Sequence, residues 1–319
     1  MINKSDKIFV AGPHGLVGRA LVRCLRARGY DNLVLKDRYS LNLLHGDVVK
    51  GFYSQERPDV VILAAAKVGG IHANNTWRAD FIYQNLMIQN NVIWGAHEAG
   101  VRKLVCLGSS CIYPRNAPQP MPESSLLSGP LEITNRPYAV AKIAGLELVN
   151  SLRNQFGCDY FSVMPTNLYG IGDNFHSKDS HVLPALLRRV VEAKESGAPK
   201  LAIWGSGAPL REFMTSDDCA DAIVFLLEQR VLKFPSQYES HINIGSGQEV
   251  SILELVKLIS KVVGYEGTIV NDASQPDGTP RKLLDCSLLN AMGWQAKTSL
   301  EDGIRQTYEW YVATKEKRM

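Results

Sequence analysis

The sequence lacks a strong excess of charge of either sign. Its 35 Lys and Arg residues against 32 Asp and Glu residues leave a formal net charge of only +3, and no long block carries a single sign. Proteins that hold nucleic acid through phosphate contacts usually present a basic stripe, and peripheral membrane proteins usually present a basic amphipathic helix. The sequence therefore predicts neither a nucleic acid nor a membrane as a partner.

Long hydrophobic runs and closely paired cysteines are also missing. The longest purely apolar run covers residues 60–66, whereas a membrane-spanning helix needs roughly 20 residues, and the N-terminus lacks the pattern of a signal peptide. No two cysteines form a Cys-x-x-Cys pair, which favours reduced thiols in the cytoplasm over disulfides or a metal site. The six are Cys24, Cys106, Cys111, Cys158, Cys219 and Cys286.

Short apolar runs alternate with stretches of helical period through the first half of the 319 residues. The predicted strands cover residues 7–11, 32–35, 60–64, 103–107 and 160–164, and the predicted helices cover residues 16–28, 47–56, 80–99 and 138–155. Near-continuous apolar strands separated by helices predict an α/β fold with a doubly wound parallel sheet.

Two stretches break this alternation. Residues 113–137 contain six prolines, which exclude a helix and predict a long surface loop. After Asn167 the pattern loosens. The predicted elements there are a helix over 181–195, a strand over 201–204, and segments 214–227 and 241–244 that return to the first sheet. We expect a first domain over 1–168, with returning segments near 214–246, and a smaller C-terminal α/β lobe over 169–319.

A glycine motif directly follows the first predicted strand. Gly12, Gly15 and Gly18 stand at Gly-x-x-Gly-x-x-Gly spacing and lead into a predicted helix. Such glycines allow a tight turn, a close approach of the backbone to a pyrophosphate, and close packing of helix on strand. The motif predicts a Rossmann-type dinucleotide site in the first domain, and the alternative is three turn glycines without a ligand.

Residues after the second predicted strand bear on the choice of nicotinamide cofactor. Asp37 lies 19 residues after Gly18, where an acidic side chain would bind the ribose 2′-hydroxyl of NAD. Its neighbours Lys36 and Arg38 suit the 2′-phosphate of NADP instead. NADP is therefore favoured, while NAD stays open.

Tyr138 and Lys142 are four residues apart on one face of a predicted helix. The pKa of free tyrosine is near 10, and a cation one turn away is expected to lower it for acid–base work at neutral pH. A surface pair is the alternative. The turn that contains Ser109 and Ser110 follows the strand 103–107 and brings hydroxyls to the carboxyl edge of the sheet, where ligands bind.

Together these motifs resemble the extended short-chain dehydrogenase/reductases that act on nucleotide sugars. Four longer strings, residues 64–71, 108–114, 164–170 and 276–282, are similar to the GDP-L-fucose synthase family. The resemblance runs nearly end to end. It implies that the cofactor is NADP(H) and that the reaction is 3,5-epimerisation and 4-reduction of a GDP-linked 4-keto-6-deoxy sugar. It also implies that the C-terminal lobe mainly binds substrate.

The resemblance further implies that Ser109, Tyr138 and Lys142 are the reductase triad, and that Cys111 and His181 are the epimerase base and acid. A C4 ketone acidifies C3 and C5, so inversion needs one group to remove a proton and another to return one on the opposite face. Since the pKa of a free thiol is near 8.5, we expect a positive environment around Cys111. Taken alone, Cys111 would be a small buried residue and His181 a residue at a helix N-terminus.

Two sets of binding residues follow from the same resemblance. The cofactor set is Gly12, His14, Gly15, Leu16, Val17, Gly18, Arg38, Asn42, Leu43, Leu107, Gly108, Lys142, Pro165, Asn167 and Leu168. The substrate set is Arg189, Trp204, Arg211, Asp277 and Lys282. Arginine forks suit a diphosphate, and an indole can stack on guanine or pack against the sugar. Family members often carry an arginine where this chain has His14, and that arginine helps to bind the 2′-phosphate. In this chain Arg38 is therefore expected to contribute more of that binding.

Other interpretations stay open at this point. A related reductase of GDP-4-keto-deoxysugars, of the colitose or deoxyheptose type, would use the same motifs. A nucleotide-sugar 4-epimerase or 4,6-dehydratase is less favoured, since Ser110 and Cys111 stand where a dehydratase needs an acidic pair. A non-catalytic NADP-binding regulator would not need to keep Ser109, Tyr138 and Lys142 together. Apolar stripes on the helices 80–99 and 138–155, and the resemblance, predict a homodimer through a helix bundle.

Overall fold

The computed structural model describes residues 1–177, 179–272, 274 and 278–316. Its strands are β1 (Ile8–Ala11), β2 (Leu33–Val34), β3 (Val60–Leu63), β4 (Lys103–Leu107), β5 (Asp159–Pro165), β6 (Asn167–Tyr169), β7 (Lys200–Trp204), β8 (Leu210–Thr215), β9 (His241–Ile244), β10 (Glu249–Ser251), β11 (Thr268–Asp272) and β12 (Arg281–Lys282). Its α-helices are α1 (Leu16–Ala27), α2 (Gly46–Glu56), α3 (Ile71–Thr76), α4 (Arg78–Glu98), α5 (Arg136–Phe156), α6 (Val182–Glu195), α7 (Ser216–Leu227), α8 (Ile252–Val263), α9 (Ser287–Ala291) and α10 (Leu300–Glu316).

A six-stranded sheet forms the centre of the first lobe, in the order β2-β1-β3-β4-β5-β9. Every neighbouring pair is parallel. Strands β1, β3, β4 and β9 are buried at every residue, because helices cover both faces of the sheet. One face packs on α1 and α7, and the other packs on α2, α4 and α5. The predicted α/β fold is thus confirmed, and so is the return of residues 241–244 to the first sheet.

The second lobe, which comprises the strands β6, β7, β8, β10, β11 and β12 with the helices α6, α8 and α10, contains two smaller sheets. In the first, β8 pairs with β10, β12 and β6 along different parts of its length. In the second, β7 and β11 are parallel. Helices α6, α8 and α10 pack with these strands around a separate apolar core.

The proline-rich residues 113–137 differ from the prediction in one respect. They contain no α-helix before α5, as predicted, but they are not a simple surface loop. Tyr113, Met121 and Glu123 are buried, and the segment packs against Leu284 of the C-terminal lobe. Apolar side chains between the prolines join a small core with residues of α5, β5 and the segment around Leu284.

Two further differences have simple causes. Helix α5 begins at Arg136, before Pro137, because proline is tolerated in the first helical turn. Helix α3 was not predicted, since its six residues are too few to show a helical period. Among the residues described, no helix is both long and apolar enough to span a bilayer.

Candidate active site

The glycine motif forms a tight backbone cradle between β1 and α1. Gly12 has a φ of +84°, and a Cβ there would lie 2.8 Å from the Cα of Ala65. A Cβ on Gly18 would lie 2.0 Å from the carbonyl oxygen of Gly12. Gly15 is the N-cap of α1, and no described side chain caps this helix, so its first amides are left for an anion. The cradle fits the pyrophosphate of a dinucleotide.

The turn after β2 fits a 2′-phosphate better than a free 2′-hydroxyl. Oδ1 of Asp37 accepts hydrogen bonds from the amides of Tyr39 and Ser40 at 3.0 and 2.7 Å and from the Ser40 hydroxyl at 2.8 Å. The bonds with Ser40 are the main cause of the lowered pKa of Asp37. The carboxylate thus stabilises the turn in which it lies. Arg38 is exposed and makes no ion pair within the described ranges.

The other predicted cofactor residues lie close to the carboxyl ends of the sheet strands or in the first turn of α1. His14 precedes α1, and Leu16 and Val17 lie in its first turn; Asn42 and Leu43 follow β2; Leu107, Gly108 and Pro165 lie at the ends of β4 and β5; and Asn167 and Leu168 lie on β6, which follows β5 directly. At Gly108 a Cβ would lie 2.3 Å from Sδ of Met164, so the backbone approaches its neighbour closely. These residues therefore share one edge of the sheet.

The proposed reductase triad is assembled at this same edge. Ser109 lies in the turn that follows β4, and its Oγ accepts a hydrogen bond from the amide of Cys111 at 3.4 Å. Its hydroxyl also lies in hydrogen-bond contact with Tyr138. On α5, Nζ of Lys142 donates to the carbonyl of Leu107 at 2.7 Å and lies 5.8 Å from the ring centroid of Tyr138. The predicted triad is therefore brought together.

The electrostatics of the triad differ from the prediction. Burial raises the pKa of Tyr138, the nearby thiols raise it further, and the hydrogen bond with Ser109 opposes them. Burial also lowers the pKa of Lys142, whose ammonium is bonded to Leu107. The prediction that Lys142 lowers the pKa of Tyr138 is wrong for this structure, because desolvation dominates.

Cys111 is buried beside the triad. Burial raises the pKa of its thiol, and the opposing effects come from Lys282, Ser109 and Lys142, in that order. The expected positive environment is present, but burial outweighs it in setting the pKa of the thiol.

His181 lies in the second lobe, next to the loop after β3. It is the N-cap of α6, and its side chain makes no capping hydrogen bond. The residue is exposed to solvent, while the surrounding protein lowers the pKa of its imidazole by desolvation. Just before it, the carbonyl of Asp179 accepts from the amide of Gly70 at 3.3 Å, which holds His181 near the loop after β3.

The predicted substrate residues form two groups. Arg211 on β8 and Lys282 on β12 are register partners, and burial lowers the pKa of both cations. Arg189 on α6 donates to the carbonyl of Ala202 on β7, the strand that ends at Trp204. The indole of Trp204 is 69% exposed. Asp277 lies outside the described residues.

Sequence reasoning missed two buried amides that hold the loop after β3, Asn74 on α3 and Asn85 on α4. A signal for Asn85 was available. It shares the buried face of α4 with Phe81, Val92 and Ala96, and a polar side chain in such an apolar face indicates an internal hydrogen bond. No pattern in the sequence points to Asn74.

Comparisons with known proteins agree with this geometry. The model of the NAD dependent epimerase/dehydratase family matches residues 8–245. GDP-L-fucose synthase 1 of Arabidopsis thaliana is 59% identical over 98% of this chain and 95% of its own. GDP-L-fucose synthase of Escherichia coli (strain K12) is 54% identical over 98% of each chain.

A solved structure of a related reductase is also similar to this chain. GDP-mannoheptose C4 reductase from Campylobacter jejuni, with NADP bound, has a TM-score of 0.89 and 40% identity, and the match covers 98% of this chain and 100% of that one. The chain therefore belongs to the NAD dependent epimerase/dehydratase family and, within it, to the GDP-L-fucose synthase family.

Proposed function

We propose that the protein converts GDP-4-keto-6-deoxy-D-mannose to GDP-L-fucose by NADPH-dependent 3,5-epimerisation and 4-reduction. The main support is the clustering of Ser109, Cys111, Tyr138 and Lys142 at one sheet edge, with His181 held against the adjoining loop. Relatives that bear the name GDP-L-fucose synthase are 54% and 59% identical over nearly the whole chain.

NADP(H) is the cofactor. The cradle of Gly12, Gly15 and Gly18 would hold its pyrophosphate, Arg38 its 2′-phosphate, and Lys142 its nicotinamide ribose. When bound, the cofactor supplies the hydride that reduces the sugar at C4. Residues 1–168, with the returning segments near 214–246, form the cofactor domain in this proposal, and residues 169–319 mainly bind substrate.

Epimerisation uses the thiol and the imidazole. Cys111 removes a proton from the carbon next to the keto group, and His181 returns one on the opposite face. The hydroxyls of Ser109 and Tyr138 stabilise the enolate oxygen that forms at C4. Burial raises the pKa of the thiol, and Lys282 opposes this effect and so favours the ionised form that acts as the base.

Reduction uses the tyrosine as a general acid. Burial raises the pKa of Tyr138, so the phenol holds its proton at neutral pH and can donate it to the C4 oxygen. Ser109 orients that oxygen through its hydroxyl. The raised pKa makes the phenol a weaker acid, so proton transfer depends on the negative charge that develops on the C4 oxygen as hydride is delivered, and the shift is the opposite of the one that the Tyr-x-x-x-Lys spacing predicts.

Substrate binding relies on local charge in a nearly neutral protein. Arg189 and Arg211 suit the diphosphate, and the exposed indole of Trp204 suits a guanine or sugar face. Burial of Arg211 beside Lys282 strengthens its attraction for an anion, since little water screens it.

A homodimer and a cytoplasmic location complete the proposal. Tyr83 and Trp94 of α4 and Val140 of α5 are exposed apolar side chains on the two adjacent helices, and pairing these helices with those of a second copy would bury them. The six free thiols favour a reducing compartment.

A panel of GDP-linked 4-keto sugars tests the function. We expect the fastest NADPH oxidation with GDP-4-keto-6-deoxy-D-mannose, and GDP-L-fucose as the product. The similarity to the Campylobacter heptose reductase makes a GDP-4-keto-heptose the informative competitor. Faster turnover of the heptose, or a product that retains the configuration of C3 and C5, would overturn the proposal.

A further inference from the structure

Residues 64–70, the loop after β3, contact both ends of the proposed site. Near the start of the loop, Ala65 packs against Gly12 so closely that a Cβ on Gly12 would lie 2.8 Å from the Cα of Ala65. At its end, the amide of Gly70 donates to the carbonyl of Asp179 at 3.3 Å. The loop thus joins the cofactor cradle to the segment that precedes the epimerase acid.

The first part of this loop is fixed by Asn85, which is buried on α4. Its Oδ1 accepts from the amide of Lys67 at 3.0 Å, and its Nδ2 donates to the carbonyls of Lys67 and Phe81 at 3.0 and 2.7 Å. The ring of Phe81 lies edge-on to Tyr138, with centroids 6.2 Å apart. Helix α4 therefore holds the start of the loop in a fixed relation to the reductase tyrosine.

The last part of the loop is fixed by Asn74, which is buried on α3. Its Nδ2 donates to the carbonyls of Gly69 and Gly70 at 2.7 and 3.1 Å. Its Oδ1 is buried without a hydrogen-bond partner among the described residues. The two hydrogen bonds of Nδ2 fix the backbone of Gly69 and Gly70 at the end of the loop.

Gly70 connects the hydrogen bonds of Asn74 to the backbone that precedes His181. A Cβ on Gly70 would lie 2.8 Å from the carbonyl oxygen of Ser180, so the two backbones are in direct contact. His181 follows immediately as the N-cap of α6, and its side chain makes no capping bond. The place of its imidazole therefore depends on the backbone before it.

From these contacts we infer that Asn74 is a positioning residue for His181. By fixing Gly69 and Gly70 it sets the position of the Ser180 backbone, and with it the place of the imidazole that follows. This inference rests on the proposed function. It has a specific consequence: when His181 is displaced and Tyr138 is not, the keto group is reduced while one centre still has its original configuration.

The test compares Asn74→Ala with Asn75→Ala in the full-length protein. Asn75 is the same residue type, the next in the chain, and exposed. Each variant is incubated with NADPH and GDP-4-keto-6-deoxy-D-mannose in heavy water, and the products are identified by NMR. For Asn74→Ala we expect the share of reduced sugar with an uninverted centre to rise about tenfold or more, because displacement of a catalytic group by about 1 Å strongly slows its step. NADPH oxidation should fall far less, and Asn75→Ala should match the wild type.

The outcomes separate this inference from the proposed function. If the wild type incorporates no deuterium at C3 or C5, the proposed function fails and the inference fails with it. If the wild type inverts both centres and Asn74→Ala gives the same product at a lower rate, only the inference is overturned, since Asn74 is then merely structural.

Two further variants keep the test decisive if Asn74→Ala does not fold. Asn74→Asp keeps the shape of the side chain and removes both N–H donors. Gly70→Ala leaves Asn74 intact and pushes on Ser180 from the loop side. Both should give the same excess of incompletely inverted product, and fully inverted product from both would contradict the inference.

Discussion

The reductase and epimerase groups of the site are held by different kinds of structure. Ser109 and Lys142 lie at the end of a central strand and on the long helix α5, and Lys142 is bonded to Leu107 at 2.7 Å. His181 instead comes from the second lobe, and the two residues before it, Asp179 and Ser180, contact Gly70 of the first lobe through their backbone. Although both half-reactions act on one keto group, mutations should therefore separate them.

The largest expected effect is on the reductase side. Tyr138→Phe removes the proton donor for the C4 oxygen and should lower the rate of NADPH oxidation about 10³-fold. Deuterium uptake at C3 and C5 should fall much less, because Ser109 still contacts the C4 oxygen. The control is Tyr238→Phe, at an exposed tyrosine outside the site. Equal losses in both measurements would show that the two halves cannot be separated.

The matching change on the epimerase side is Cys111→Ser. A hydroxyl is a much weaker base than a thiolate, so deuterium uptake should fall about 10²-fold. NADPH oxidation should continue and yield a 4-reduced sugar that lacks inversion. Cys158→Ser, at a cysteine between the end of α5 and the start of β5, should behave like the wild type. Normal uptake by Cys111→Ser would remove this thiol from the mechanism.

The reductase half was also the more predictable from sequence. Ser109, Tyr138 and Lys142 lie within two short motifs, and the order of strands and helices places both motifs at one sheet edge. Their electrostatics were not predictable in the same way, since the pKa of Tyr138 depends on burial by residues from several elements.

The epimerase half depended on contacts that no local pattern encodes. His181 and Cys111 were identified only through resemblance to a family. Asn74 was missed because its role depends on the carbonyls of Gly69 and Gly70, and a lone asparagine has no characteristic spacing. The pairing of Lys282 with Arg211 likewise depends on strands far apart in the chain.

A smaller effect is expected from Lys282→Met. Removal of this cation raises the pKa of Cys111 further, so alkylation of the thiol by iodoacetamide should need a pH about 1 unit higher. At a fixed pH below that range, alkylation should slow about tenfold. Lys282→Arg should restore the pH profile, and Lys257→Met, at an exposed lysine on α8, should not move it. An unchanged profile in Lys282→Met would show that this cation does not act on Cys111.

The smallest effect is expected at the cofactor turn. Arg38→Ala should raise KM for NADPH about fivefold, because an exposed ion pair with a 2′-phosphate is screened by solvent. KM for NADH should stay nearly constant, since that cofactor has no such phosphate. The exposed Arg26 on α1 provides the control variant Arg26→Ala. Equal changes for the two cofactors would argue against the 2′-phosphate contact.

The central claim is that one site inverts two carbons and reduces a third. The most direct measurement is the deuterium content of the product after the wild-type protein turns over GDP-4-keto-6-deoxy-D-mannose with NADPH in heavy water. We expect deuterium at both C3 and C5 and the configuration of GDP-L-fucose. A 4-reduced product without deuterium at either carbon would contradict it.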